Sequence, residues 1–231
     1  MAQNLVASWQ KEDSKKIILS ESVYIRLKGL INLSDFESIN NPFLVEHGTF
    51  LFGYVDQDGN VYFDSFSEKI GNKSKDSGHF APTDEMVDEY IGKLLEPKYN
   101  CFALVHTHPY PDKEAGRSYS SPDVSLYKNL TSTKTFKGKE VFIFGTLLTA
   151  SSNYDPNYDD ISFVSYNPNT NEWSYYPNIY VKNGETLSKL EIVEDKVYID
   201  NNGKPYNEIT KTQNGIPDEE LKEDSVRRTL L

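Results

Sequence analysis

The 231-residue chain has one cysteine, Cys101, so no disulfide can close within it. Cys101 stands in an apolar run, where a free thiol is more often a packing group than a nucleophile. Cationic runs are equally scarce. None is longer than Lys15-Lys16 or Arg227-Arg228, and the net charge is −11 with a pI near 4.9. Affinity for nucleic acid comes mainly from Lys and Arg neutralising phosphates, so that partner class is excluded. Long hydrophobic runs are missing too. Nothing approaches the ~18 apolar residues of a membrane span. The first ten residues carry neither the basic nor the apolar region of a signal peptide. The expectation is a soluble, cytoplasmic protein with no membrane partner.

Aromatic residues are plentiful by contrast. There are 16 Tyr and 12 Phe within a hydrophobic content of 37%, which points to a core built from rings. With many Asn, Asp and Gly turns, that composition favours strands. The length suits one ordinary domain with appendages.

In chain order, residues 1–14 read as polar and loosely held, and Lys16 to Ser20 as a short strand. Residues 21–30 fit a helix capped by Ser20, although the alternation from Val23 to Leu27 fits a strand as well. Ser34 with Glu37 has capping-box spacing and predicts a second short helix over 34–40. Residues 48–55 and 61–66 flank Asp58-Gly59, a hairpin signal. Residues 67–81 read as an exposed loop. Thr83 caps a helix over 84–96 that Pro97 ends. A strand over 101–105, a helix over 123–130 and a long apolar strand over 140–150 follow. Residues 161–166 and 172–176 read as a hairpin, and 196–205 as a small β element.

The chain has only four histidines, and two of them form His106-Thr-His108. Side chains at i and i+2 of a strand share a face, so two imidazoles can meet one metal ion. They fall where the 101–105 strand runs out, and Pro109 cannot continue a ladder. Asp123 follows just inside the next helix. Two imidazoles and one carboxylate make the three protein ligands that catalytic zinc uses. Two nitrogens among three donors favour Zn2+ over magnesium. Ser121, standing before Pro122, reads as the helix cap.

His106-x-His108-Pro109, followed after ten residues by Ser120-x-x-Asp123, resembles the JAMM signature of the JAB/MPN metalloproteases. Glu46, with Gly53 seven residues on, matches the upstream part of that signature. The family's inner glycine usually lies three residues after the Glu, and here Gly48 lies two after it.

The resemblance implies an α+β fold of the α/β/α kind, a mixed sheet sandwiched by helices in a cytidine-deaminase-like arrangement. It places that domain at 20–182, between a polar extension at 1–19 and a small β extension with a mobile acidic tail at 183–231. It implies zinc on His106, His108 and Asp123, Glu46 as general base, and Ser120 as the hydroxyl supporting the tetrahedral intermediate. The implied activity is zinc-dependent hydrolysis of peptide or isopeptide bonds. The implied partner is a protein or peptide substrate, ubiquitin-like proteins among them, cut at a C-terminal tail. The alternative is a non-catalytic interaction scaffold of the same fold, against which the intact ligand set speaks. An extended tail is expected to add to the edges of the 48–66 hairpin, with the loop 110–119 shaping access.

Overall fold

A computed structural model of the chain describes residues 9–39, 46–71, 80, 82–108, 121–131, 135–136, 138–149, 161–167, 169–170, 172–191, 197–199 and 205–207. In chain order the elements are β1 (Trp9–Lys11), β2 (Ile17–Ser20), α1 (Glu21–Ile39), β3 (Gly48–Val55), β4 (Val61–Phe66), α2 (Asp84–Leu95) and β5 (Cys101–His108). Next come α3 (Ser121–Thr131), β6 (Thr135–Phe136), β7 (Lys139–Glu140), β8 (Phe142–Thr149), β9 (Ile161–Asn167) and β10 (Glu172–Tyr175). β11 (Ile179–Asn183), β12 (Thr186–Lys189), β13 (Val197–Ile199) and β14 (Pro205–Asn207) complete the series.

Ten strands form one mixed sheet in the order β1-β10-β9-β8-β5-β3-β4-β2-β11-β12. β5 lies at its middle, parallel to β8 and antiparallel to β3. Two small ladders, β6–β7 and β13–β14, stand outside it.

The helix-sandwiched α/β/α fold implied by the resemblance is overturned. Among the described residues the fold is mostly β, 45% strand against 27% helix, with three helices on a curled, half-barrel sheet. The reason is main-chain pairing by segments the sequence reading left out of the sheet. β1 adds beside β10, β2 joins β4 to β11, and β12 adds beside β11. The sheet so widened accumulates the twist of ten strands, which carries it round on itself.

Ring contacts measure the curl. Phe63 of β4 and Phe163 of β9 are four strand positions apart, which is about 19 Å in a flat sheet. Their ring centroids stack at 5.6 Å. The concave side therefore holds a closed core of Phe63, Phe144, Phe163, Leu51, Val105 and the small pair Cys101 and Ala103, plugged by Val23, Leu27 and Leu30 of α1. The convex side carries a second cluster, in which Phe50, Phe52, Phe102 and Leu104 meet Met86 and Leu94 of α2 and Tyr127 of α3.

Most local signals held. The β3–β4 hairpin forms, with Gly59 at φ 81 in its turn and the Asp56 carboxylate accepting from the Asp58 and Asn60 amides. The Thr83 hydroxyl caps α2 by accepting from the Met86 amide. α1 differs: it is one helix through Ile39, not two. Ser34 is wholly buried inside it, with its hydroxyl spent on Thr107 rather than on a cap.

The hairpin edges expected to receive a substrate tail are occupied. β3 lies between β4 and β5, and β4 between β3 and β2, so among the described residues the outermost strands of the large sheet are β1 and β12. The loop 110–119 lies outside the described residues.

Candidate metal centre

β5 runs through both histidines instead of ending before them. His106 pairs with Gly48 on one side and Leu147 on the other, and His108 pairs with Thr149. The alternation of β5 sends Phe102 and Leu104 to the convex cluster, and His106 and His108 continue the same row. Each histidine is 2% exposed, and their Nε2 atoms lie 2.9 Å apart.

α3 delivers Asp123 to this pair. Asp123 Oδ1 is 3.2 Å from His106 Nε2, and Oδ2 is 3.4 Å from His108 Nε2. Glu46, 5% exposed, comes from just before β3, with Oε1 3.9 Å from His108 Nε2. Glu46, His106 and His108 offer donor atoms within 4.8 Å of one another, so the buried cluster can hold a metal ion. Donors around a tetrahedral ion at ~2.0–2.2 Å stand roughly 3.3–3.5 Å apart. The spacings of His106, His108 and Asp123 lie close to that, so the residues fit the ion.

Three neighbours steady the cluster. The Tyr127 hydroxyl stands 3.0 Å from His106 Nδ1. The Phe80 amide donates to Glu46 Oε2 at 2.8 Å, and its ring stacks on His106 with centroids 6.0 Å apart. That ring rests where residue 48 has no side chain, since a Cβ on Gly48 would come within 2.6 Å of it. On the concave face, the Thr107 hydroxyl accepts from the His47 amide at 2.9 Å and donates to Ser34 at 2.8 Å. The Thr107 amide in turn donates to the His47 carbonyl at 2.8 Å. The residue next to Glu46 is thus tied to the residue between the two histidines.

The charges are coupled. Burial alone would raise the Asp123 carboxyl, but attraction and hydrogen bonds from His106 and His108 outweigh it and hold that group well below the carboxylate range. Burial would lower His106, but the charge and hydrogen bond of Asp123, with the charge of Glu46, raise it above the ordinary imidazole value. Two carboxylates converging on two imidazoles call for a proton or a cation between them.

Of the residues singled out in the sequence, Glu46, His106, His108 and Asp123 come together. Ser120 lies outside the described residues, and Ser121 is the first residue of α3. Sequence reasoning passed over Tyr127 and Phe80. Tyr127 carried a signal, since it lies four residues after Asp123 on one helix and so shares its face. Phe80 carried none, because its contacts depend on tertiary placement. No protein-family model and no curated protein matches the chain. Among the described residues no helix is long and apolar enough to cross a membrane.

Proposed function

We propose that the protein is a zinc-dependent hydrolase of peptide or isopeptide bonds, with JAMM-type chemistry on a sheet that is not the sandwich associated with that signature. The observation that carries this reading is the placement of Glu46 Oε1 3.9 Å from His108 Nε2, beside a three-donor set. His106, His108 and Asp123 would hold the zinc, which would supply Lewis acidity for the scissile carbonyl and for water. Glu46 has one oxygen fixed by the Phe80 amide, which leaves Oε1 to take a proton from the attacking water. The same carboxyl then returns that proton to the departing amine, so that one water is consumed as the bond breaks into an acid and an amine. Metal binding asks for an unprotonated His106 and an ionised Asp123, so activity falls as pH drops and protons compete for that imidazole. Ser120 is assigned to the developing oxyanion by the resemblance alone. The substrate class, a protein tail of the ubiquitin-like kind, rests on the same ground.

The proximity of Glu46 favours a second reading. As a fourth ligand it would close the site, which would make the metal structural. Glu46→Gln separates the two. Elemental analysis of tag-free protein should find about one zinc per chain in wild type and in Glu46→Gln, while hydrolysis of tail-fused ubiquitin-like reporters stops in the variant. Loss of zinc in Glu46→Gln supports the closed site. Undiminished cleavage by that variant refutes Glu46 as the base. A wild-type protein that holds zinc and cleaves neither reporters nor peptides is the scaffold.

A further inference from the structure

Tyr127 is 1% exposed, and its hydroxyl lies 3.0 Å from His106 Nδ1. It follows Asp123 by four residues on α3, so the two side chains lie over one another on one face of the helix. The ring is seated by an absence. Gly145 of β8 has no side chain, and a Cβ there would stand 2.7–2.9 Å from three carbons of the Tyr127 ring. Gly145 pairs with Leu104 of β5, two residues before His106. The slot thus opens on the strand that carries the histidines.

An imidazole offers a metal only the nitrogen that lacks a proton, and the partner of the other nitrogen decides which one that is. His106 Nε2 faces His108 and Asp123. A His106 that binds metal through Nε2 carries its proton on Nδ1, and a buried N–H needs an acceptor. The Tyr127 hydroxyl oxygen stands where that acceptor is required.

We propose that Tyr127 is the positioning residue of the metal centre, acting in two ways. Its hydroxyl holds His106 in the tautomer that turns the Nε2 lone pair to the ion. Its ring, wedged against Gly145, sets the register of α3 that brings Asp123 to both imidazoles. This rests on the metal-binding reading above, and no proton travels through Tyr127.

Zinc affinity, measured by competition with a chromophoric chelator, tests both roles. Tyr127→Phe keeps the ring and removes the oxygen, and should weaken zinc by roughly 10–100-fold, the range for outer-shell partners of ligands. Tyr90→Phe, in the same aromatic cluster, should leave affinity unchanged. In zinc-loaded protein the His106 Nδ1–H resonance should shift and exchange with solvent faster in Tyr127→Phe, which a packing role alone would not cause. Gly145→Ala should lose affinity at least as far, by displacing ring and helix. Should that variant not fold, Tyr127→Phe decides alone. Wild type that takes up no zinc refutes the metal reading, and this inference with it. Wild type that binds zinc, with Tyr127→Phe matching it in affinity and in the Nδ1–H signal, refutes the role of Tyr127 and leaves the metal reading standing.

Discussion

The two faces of β5 handle polar groups in opposite ways. On the concave face Thr107 is buried with both hydrogen-bonding capacities of its hydroxyl spent, one on the His47 amide and one on Ser34. On the convex face His106 and His108, either side of it, aim Nε2 atoms at one point shared with Asp123 and Glu46. The first arrangement is complete within the chain, and polar groups so satisfied are inexpensive to bury. The second gathers two carboxylates on two imidazoles, an arrangement that can hold a metal ion. One strand thus separates a lock from a candidate metal centre by the alternation of its side chains.

The largest break in this comparison should come from the histidines. His106→Ala and His108→Ala should each take zinc from about one per chain to near none by elemental analysis, while Thr107→Val, between them, should keep it. Full zinc retention in both histidine variants would refute the centre.

Thr107→Val should act instead on stability. It removes the acceptor for the buried His47 amide and the donor to Ser34, at a cost of about 1–3 kcal/mol. Chemical denaturation of zinc-loaded protein measures it, with Thr107→Ser restoring most of the loss. A valine variant as stable as wild type would mean that the concave network does not matter to the fold.

These faces were unequally legible in the sequence. The i, i+2 spacing of His106 and His108 fixed their common face, because a strand has only two. The α2 cap at Thr83 and the Asp58-Gly59 turn were local, so they were readable. The breadth of the sheet was not. β2 pairs with β4 and β11 across 44 and 162 residues of chain, between Ile17, Val61 and Ile179, and nothing in a four-residue apolar run names its neighbours. The sandwich implied by the resemblance failed for that reason. Ser34 misled as a cap because its buried partner Thr107 lies 73 residues away. Tyr127 stood within reach of helical spacing, but the glycine slot that seats it belongs to another strand.

A smaller effect separates metal-free from zinc-loaded protein by pH. The Asp123 carboxyl is lowered on folding, so its contribution is present above the unfolded value of about 3.9 and lost as pH falls through the folded one. His106 is raised, so its contribution is complete below about 6.5 and lost as pH rises through its folded value. Chelator-treated protein should therefore draw most from this pair between about pH 4 and 6.5, and should melt lower as pH rises past that window. Zinc demands neutral imidazoles, so the loaded protein should gain stability over the same rise. Asp123→Asn should flatten the metal-free trend. Parallel melting curves for loaded and chelated protein would refute the coupling.

The smallest expected effect is at Cys101, and it tests the closure of the concave face. Its side chain is wholly buried in the core beside Ala103 and Val105, and burial pushes the thiol well above its ordinary range, against a smaller lowering by the Phe102 backbone. Thiolate is the reactive form, so both access and ionisation protect it. A neutral-pH thiol reagent should label native protein only as fast as the core opens, and denatured protein within mixing time. Thr107→Val, which loosens the lock at the other end of the same face of β5, should speed native labelling, while Tyr127→Phe on the opposite face should not. Stoichiometric labelling of native wild type within mixing time would mean that the curl leaves this face open, and the contrast between the two faces of β5 would fail with it.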